Sequence, residues 1–459
     1  MTPAPALQPP SYPGAYRIGP PDRPFSGTVA LPGSKSITNR ALLIAGMARG
    51  ETLLDNALYC DDSLHLSKAL RQLGVTVEED PKGSRFAVVG AGGLFPVQTA
   101  DFSLGNAGTT TRFLTAALAL SQGRYSVDGD ARMRERPIGD LVKALRALGC
   151  SIDAPSGCPP IHIQPANLGA SAGKRTPFPG GHVTVSGRTS SQFISALLLA
   201  APLTRDGIEV LVEGELVSRP YIDVTLEVIR RFGADAWADD GRADGRASFS
   251  ARAGRGYRGC LFRVEGDAST ASYFMAAAAL GGGTVRVEGL GRESIQGDAR
   301  FADVLARMGA HVKKESGAIT VTAAEILRGV DEDCRDIPDV VPTLAAVALF
   351  AKGRTRLTHV EHLRFKESDR IKSVAAALRQ LGGRVFELND GLEIEESRPR
   401  AGTVDTFGDH RIAMTAAMVG LRIPGVVVKE PHVVAKSFPE YFETLKQLGA
   451  SIEALSTTS

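Results

Sequence analysis

The sequence predicts an α/β protein built from six copies of one unit of about 75 residues, and three observations carry that prediction. The chain has 459 residues, too many for one ordinary hydrophobic core. A short pattern recurs as ALRQLG ending at Gly74, ALRALG at Gly149, VIRRFG at Gly233, VLARMG at Gly309, ALRQLG at Gly382 and TLKQLG at Gly449, at intervals of 75, 84, 76, 73 and 67 residues. Six nearly all-apolar stretches accompany it: NRALLIAGMA, TTRFLTAALAL, SQFISALLLA, ASYFMAAAAL, PTLAAVALFA and RIAMTAAMVG.

Each element follows from its residues. In the glycine-ended copies, apolar side chains recur three or four apart, basic residues fall in the last turn and glycine stands just past the end, so each closes an amphipathic helix. A strand-like run comes next, such as VTVEE after Gly74 or HVKKE near Gly309. The alanine- and leucine-rich stretches are apolar all round and read as buried helices. Each follows a short polar cluster: GSKS, GNAGT, GRTSS, GDAST, IPDVV and FGDHR.

Composition removes several function classes. Hydrophobic residues at 43% and charged ones at 23% have the balance of a globular protein. A formal charge of +2 leaves no electrostatic footprint for nucleic acid. Cys60, Cys150, Cys158, Cys260 and Cys334 are scattered without a C-x-x-C pair, as expected of free thiols in a reducing cytoplasm. No apolar run reaches bilayer-spanning length, so a cytoplasmic location with no membrane partner is expected. Residues 1–24 hold eight prolines and no signal-peptide pattern, which reads as a disordered leader outside the fold.

The polar clusters carry the chemistry. LPGSKSITNR, residues 31–40, imitates a phosphate-binding P-loop, but Ser34 intrudes between Gly33 and Lys35 and the spacing fails. Simple N-capping accounts for Asp267 to Thr270. It does not account for Lys35, Arg112, Arg188 and Arg411, which lie in or near first turns, where the helix dipole opposes a cation by about 0.3–1 kcal/mol. A bound anion explains them, because a helix N-terminus beside a cation is a phosphate or carboxylate site. RMRERP (Arg132 to Pro137) and RFKESDRIK (Arg364 to Lys372) add further cations interleaved with Glu135, Glu367 and Asp369. His359 and His362 lack a third ligand nearby, so no metal is expected. GAGGLF fails the dinucleotide-binding glycine spacing.

These residues resemble a known family, the 5-enolpyruvylshikimate-3-phosphate synthases. LPGSKSITNRALL, GNAGTTTRF, RMRERPIGDL, SSQFISALLL, ELVSRPYID, EGDASTASYF, DIPD, RFKESDRI, GDHRIAM and AKSFPEYF occur in the family's order from Leu31 to Phe442. The resemblance implies a two-domain inside-out α/β barrel of six β-α-β-α-β-β repeats, three per domain. It places an N-terminal domain at 33–262 and a C-terminal domain at 25–32 plus 263–459. It also implies a monomer that joins shikimate 3-phosphate to phosphoenolpyruvate without metal or organic cofactor, in the shikimate pathway toward chorismate, and that is a target of the inhibitor glyphosate. Both substrates are multiply anionic, which suits the cation density.

The implied site residues fall into three groups. Lys35, Ser36, Arg40, Ser190, Ser191, Gln192, Ser218, Tyr221, Asp339 and Lys366 match positions that hold shikimate 3-phosphate. Lys35, Gly108, Arg132, Gln192, Arg370, Arg411 and Lys436 match the phosphoenolpyruvate site. Asp339 matches the carboxylate that takes the 5-hydroxyl proton, with Glu367 and Lys35 as rival donors to the methylene carbon. Two departures stand out: NAGTTTRF puts Phe113 where the family often has proline, and His362 stands where asparagine is frequent. Gly108 is retained, which predicts room for glyphosate. A sister enolpyruvyl transferase that uses UDP-N-acetylglucosamine is the nearest alternative, but it carries lysine-asparagine where this chain has Lys35-Ser36, and often a loop cysteine where none lies between Cys60 and Cys150. A non-catalytic binder of phosphorylated metabolites would have no need of Asp339 and Glu367 among its cations.

Overall fold

The computed structural model describes residues 12–166, 177–242, 244–254 and 256–456. Along them run α1 (Lys35–Met47), α2 (Asp61–Gln72), α3 (Gly108–Leu120), α4 (Gly139–Ala147), α5 (Ser191–Ala200) and α6 (Arg219–Arg231). The same alternation continues in α7 (Ala268–Gly281), α8 (Phe301–Arg307), α9 (Val341–Ala348), α10 (Arg370–Gln380), α11 (His410–Gly420) and α12 (Tyr441–Gln447). The odd-numbered helices are the all-apolar stretches, and every residue of α7 from Ala268 to Leu280 is buried. Each even-numbered helix ends at one of the repeated glycines. Gly74, Gly149, Gly233, Gly309, Gly382 and Gly449 all adopt positive φ, the left-handed turn that a side chain disfavours.

Among the described residues, six four-stranded sheets share one topology. Two parallel strands flank an odd-numbered helix. The even-numbered helix then leads into a hairpin whose second strand pairs antiparallel with the second parallel strand. Three sheets use consecutive chain, such as Thr99–Ser103, Arg124–Asp128, Ile161–Gln164 and Ser151–Asp153 in sheet order. The others borrow a strand. Phe25–Ala30 precedes α1 yet pairs with Gly283–Glu288, which follows α7. Leu261–Arg263 precedes α7 yet pairs with Glu51–Asp55, which follows α1.

The expectation of a loose leader over residues 1–24 is overturned for the part described. Ala15–Gly19 is a central strand, antiparallel to Val426–Lys429 on one side and Ser451–Leu455 on the other. The physical reason lies at the other end of the chain. In the sheet of the sixth repeat the N-terminal segment supplies the strand between Val426–Lys429 and Ser451–Leu455. Ile18 is fully buried there, and a side chain at Gly420 of α11 would come within 2.5 Å of the Ile18 Cβ, so helix and strand touch directly. Residues 1–11 of that leader lie outside the described residues.

The chain divides into two compact units. One holds residues up to Pro32 and from Glu265 onward, with α7, α9 and α11 at its centre; the other is Gly33–Val264, with α1, α3 and α5 at its centre. Three sheets surround the helices of each, an inside-out α/β arrangement. Among the described residues no helix is long and apolar enough to cross a membrane.

Candidate active site

In the Gly33–Val264 unit, helix N-termini gather the expected residues into two linked sets. The first centres on Arg40 of α1, which is 1% exposed. Its Nε donates to Thr225 Oγ1 (2.7 Å), Nη1 to the Ser36 carbonyl (2.9 Å), and Nη2 to the Tyr221 carbonyl (3.0 Å) and Ser195 Oγ (3.3 Å). Lys35 and Ser36 open the same helix, and buried Ser218 caps α6 in a left-handed conformation at φ 58°. Gly33 is not a phosphate-loop glycine: a Cβ there would sit 1.7 Å from the Asn56 carbonyl oxygen, so it admits a passing backbone.

The second set joins α3 to α5. Arg112 Nη1 donates to Gln192 Oε1 (2.9 Å) and Nη2 to the Pro137 carbonyl (3.0 Å), while Gln192 Nε2 donates to Thr109 Oγ1 (3.3 Å). Ser190 caps α5 by accepting from the Gln192 amide at 3.2 Å, and Ser191 is buried beside it. Gln192 is thereby fixed from three sides, with its amide nitrogen on the Thr109 side.

One expected member lies away from this set. Arg132 pairs outward with Glu135 at 2.8 Å on a partly exposed turn. Arg136, four residues on, is 3% exposed and donates to the Asn106 side-chain oxygen (2.8 Å) and carbonyl (3.2 Å). A Cβ at Gly108 would lie 2.5 Å from Arg136 Nη2, so Arg136, not Arg132, lies against the glycine that opens α3. The 3₁₀ turn Met133–Glu135 buries Met133 and so carries Arg136 inward.

In the other unit a buried ionic network forms around Arg370. Its Nε donates to Asp409 Oδ2 (2.8 Å), Nη1 to Asp339 Oδ1 (3.0 Å) and Nη2 to Glu367 Oε2 (2.6 Å). Arg411 Nη2 holds the second oxygen of Asp339 at 3.0 Å. Asp409 has a second duty as the cap of α11, accepting from the Arg411 amide at 3.0 Å, and Ser368 Oγ donates to it at 3.1 Å. Lys366 precedes Glu367, and Lys436 ends a 3₁₀ turn that packs on α11.

Burial alone would raise the Asp339 pKa, but Arg411, Lys366 and Arg370 outweigh it and hold the carboxyl well below the usual range. Asp339 is therefore ionised at neutral pH. Burial would likewise lower the Arg370 pKa, and Asp409, Glu367 and Asp339 reverse that into a rise. His362 is pushed down to about 3 by burial and then by Lys366, so its imidazole is neutral.

Sequence reasoning missed Asp298. It is 2% exposed, accepts from Ser269 Oγ at the start of α7, and is pushed up to about 7 by burial and then by the Asp339 charge. The signal available in the sequence was QGDAR, where an acid stands beside a helix start.

Cations at helix N-termini, with the Asp339 carboxylate held ionised between two of them, suit the transfer of a group between two anionic substrates. Solved structures share the architecture. EPSP synthase from Acinetobacter baumannii superposes with a TM-score of 0.77 at 27% identity, covering 96% of this chain and 99% of that one. The enolpyruvyl transferase NikO from Streptomyces tendae shares the fold, with a TM-score of 0.74 at 20% identity over 97% of this chain and 99% of its own. Fold and site thus define an enolpyruvyl transferase. The model of the EPSP synthase family, 3-phosphoshikimate 1-carboxyvinyltransferase, matches residues 20–445. The 3-phosphoshikimate 1-carboxyvinyltransferase of Laribacter hongkongensis is 48% identical over 432 residues, 92% of this chain and 97% of that protein. The chain belongs to the EPSP synthase family.

Proposed function

We propose that this chain transfers the enolpyruvyl group of phosphoenolpyruvate to the 5-hydroxyl of shikimate 3-phosphate and releases inorganic phosphate. The observation that supports it most is Asp339, pinned between Arg370 and Arg411 and kept ionised. A proton added to the methylene carbon of phosphoenolpyruvate leaves a cationic carbon. The 5-hydroxyl oxygen attacks that carbon while Asp339 takes the hydroxyl proton. Loss of a methyl proton and of phosphate then restores the double bond. Glu367 and Lys35 are the proposed donors to the methylene carbon.

Ser36, Arg40, Ser190, Ser191, Gln192, Ser218, Tyr221 and Lys366 are assigned to shikimate 3-phosphate. Lys35, Gly108, Arg136, Gln192, Arg370, Arg411 and Lys436 are assigned to phosphoenolpyruvate, with Arg136 in the place first expected of Arg132. The assignment of Arg136 rests on its position against Gly108. We further propose that glyphosate occupies the phosphoenolpyruvate subsite and that the protein acts as a cytoplasmic monomer.

The test follows phosphate release from phosphoenolpyruvate with shikimate 3-phosphate, and separately with UDP-N-acetylglucosamine. Release with the first acceptor alone is expected. Release with the second alone, or with neither, overturns the proposal.

A further inference from the structure

The two units compensate their buried arginines differently. Arg370 faces three carboxylates. Among the described residues, Arg40 has only neutral acceptors: two hydroxyls and two carbonyls. Those bonds use four of the five N–H groups that a guanidinium carries. Burial without a counter-ion is costly, and it pulls the Arg40 pKa down to about 9.

What faces the cation instead is an aromatic ring. Arg40 Cζ lies over Phe113 of α3, 4.9 Å from the ring centroid, and Phe113 is fully buried. The negative face of an aromatic ring attracts a guanidinium, and more strongly when water is excluded. The other contacts hold the guanidinium at its edges. Thr225 and Ser195 are themselves joined by a 2.9 Å hydrogen bond, so the acceptors form one fixed frame. Phe113 supplies the floor of that frame.

We propose that Phe113 is a positioning residue for the acceptor substrate: its ring holds the Arg40 guanidinium flat, so that the one uncommitted N–H is available to an oxygen of shikimate 3-phosphate. This rests on the function proposed above. It gives the phenylalanine after Arg112 a task that proline, with no π face, could not perform. Such a chain must steady Arg40 by other means.

Simple core packing is the competing explanation, and progressive fluorination of the ring separates the two. Incorporating 4-fluoro-, 3,5-difluoro- and pentafluorophenylalanine at position 113 weakens the π face in steps while nearly preserving shape. The expected result is a KM for shikimate 3-phosphate that climbs along the series, by about 5- to 30-fold at full fluorination. KM for phosphoenolpyruvate and kcat should stay within about threefold across the series. Phe113→Leu, which keeps the bulk and removes the ring, should move the same parameter in the same direction; if it does not fold, the fluorinated series still decides. A KM for shikimate 3-phosphate that ignores fluorination overturns the proposal, as does a series in which both KM values and kcat move together. Failure of the underlying function looks different, because the unsubstituted protein would then release no phosphate with shikimate 3-phosphate.

Discussion

An Arg370→Leu variant is expected to lose about 10³-fold or more of its phosphate-releasing activity and about 3–5 kcal/mol of folding stability. The guanidinium is 2% exposed and is shared by Asp409, Glu367 and Asp339, whose side chains are 0%, 9% and 18% exposed. Leucine matches the bulk of the stem but leaves these carboxylates facing one another in a site closed to most water. Removing one partner of a buried ionic cluster costs far more than the intact cluster contributes, because the remaining charges cannot be rehydrated. Asp409 also caps α11, so its relaxation would disturb the helix that carries Arg411. Lysine is a poor substitute, since one ammonium cannot reproduce a planar fork that reaches three acceptors. Urea denaturation and initial rates measure both effects. A stability within 1 kcal/mol of the parent would contradict the view that Arg370 organises this network.

Deleting residues 1–19 is expected to leave a protein that melts far below the parent or aggregates. Ala15–Gly19 is paired on both edges, with four residues in register against Val426–Lys429 and five against Ser451–Leu455. Losing the buried Ile18 side chain alone costs about 2–5 kcal/mol, and each lost ladder bond adds about 1 kcal/mol. Together these approach the whole stability of an ordinary domain, about 5–15 kcal/mol. The gap also bares two strand edges, the usual starting point for aggregation. Thermal unfolding followed by circular dichroism is the measurement. A melting temperature unchanged within about 3 °C would show that the sixth sheet tolerates the loss of its strand.

The contrast between these two regions shows what can be read from a sequence of this kind. The buried helices and their glycine stops were legible because each is specified within some dozen residues, by composition and by a backbone position that needs positive φ. The cations near helix starts stood out for the same reason, since a lysine or arginine in a first turn violates a local rule. Strand exchange was not, because Phe25–Ala30 and Gly283–Glu288 carry no mark that they pair with each other rather than with nearer strands. The N-terminal strand failed doubly. Its prolines read as a leader, and its partner sheet is completed only by the far end of the chain. In RMRERP three arginines compete within five residues, and a short 3₁₀ turn decides that Arg136 faces inward. Asp409 caps α11, as its place before the helix allows; its second bond, to Arg370, belongs to tertiary structure.

The central claim is that Asp339, held ionised between two arginines, takes the proton of the acceptor hydroxyl. Asp339→Asn keeps the size of the side chain and removes its capacity to accept that proton. The most direct measurement combines calorimetric binding of shikimate 3-phosphate with turnover on the same variant. A dissociation constant within about threefold of the parent and a turnover lowered by about 10²- to 10⁴-fold is the predicted result. Turnover within about tenfold of the parent, with binding intact, would contradict it.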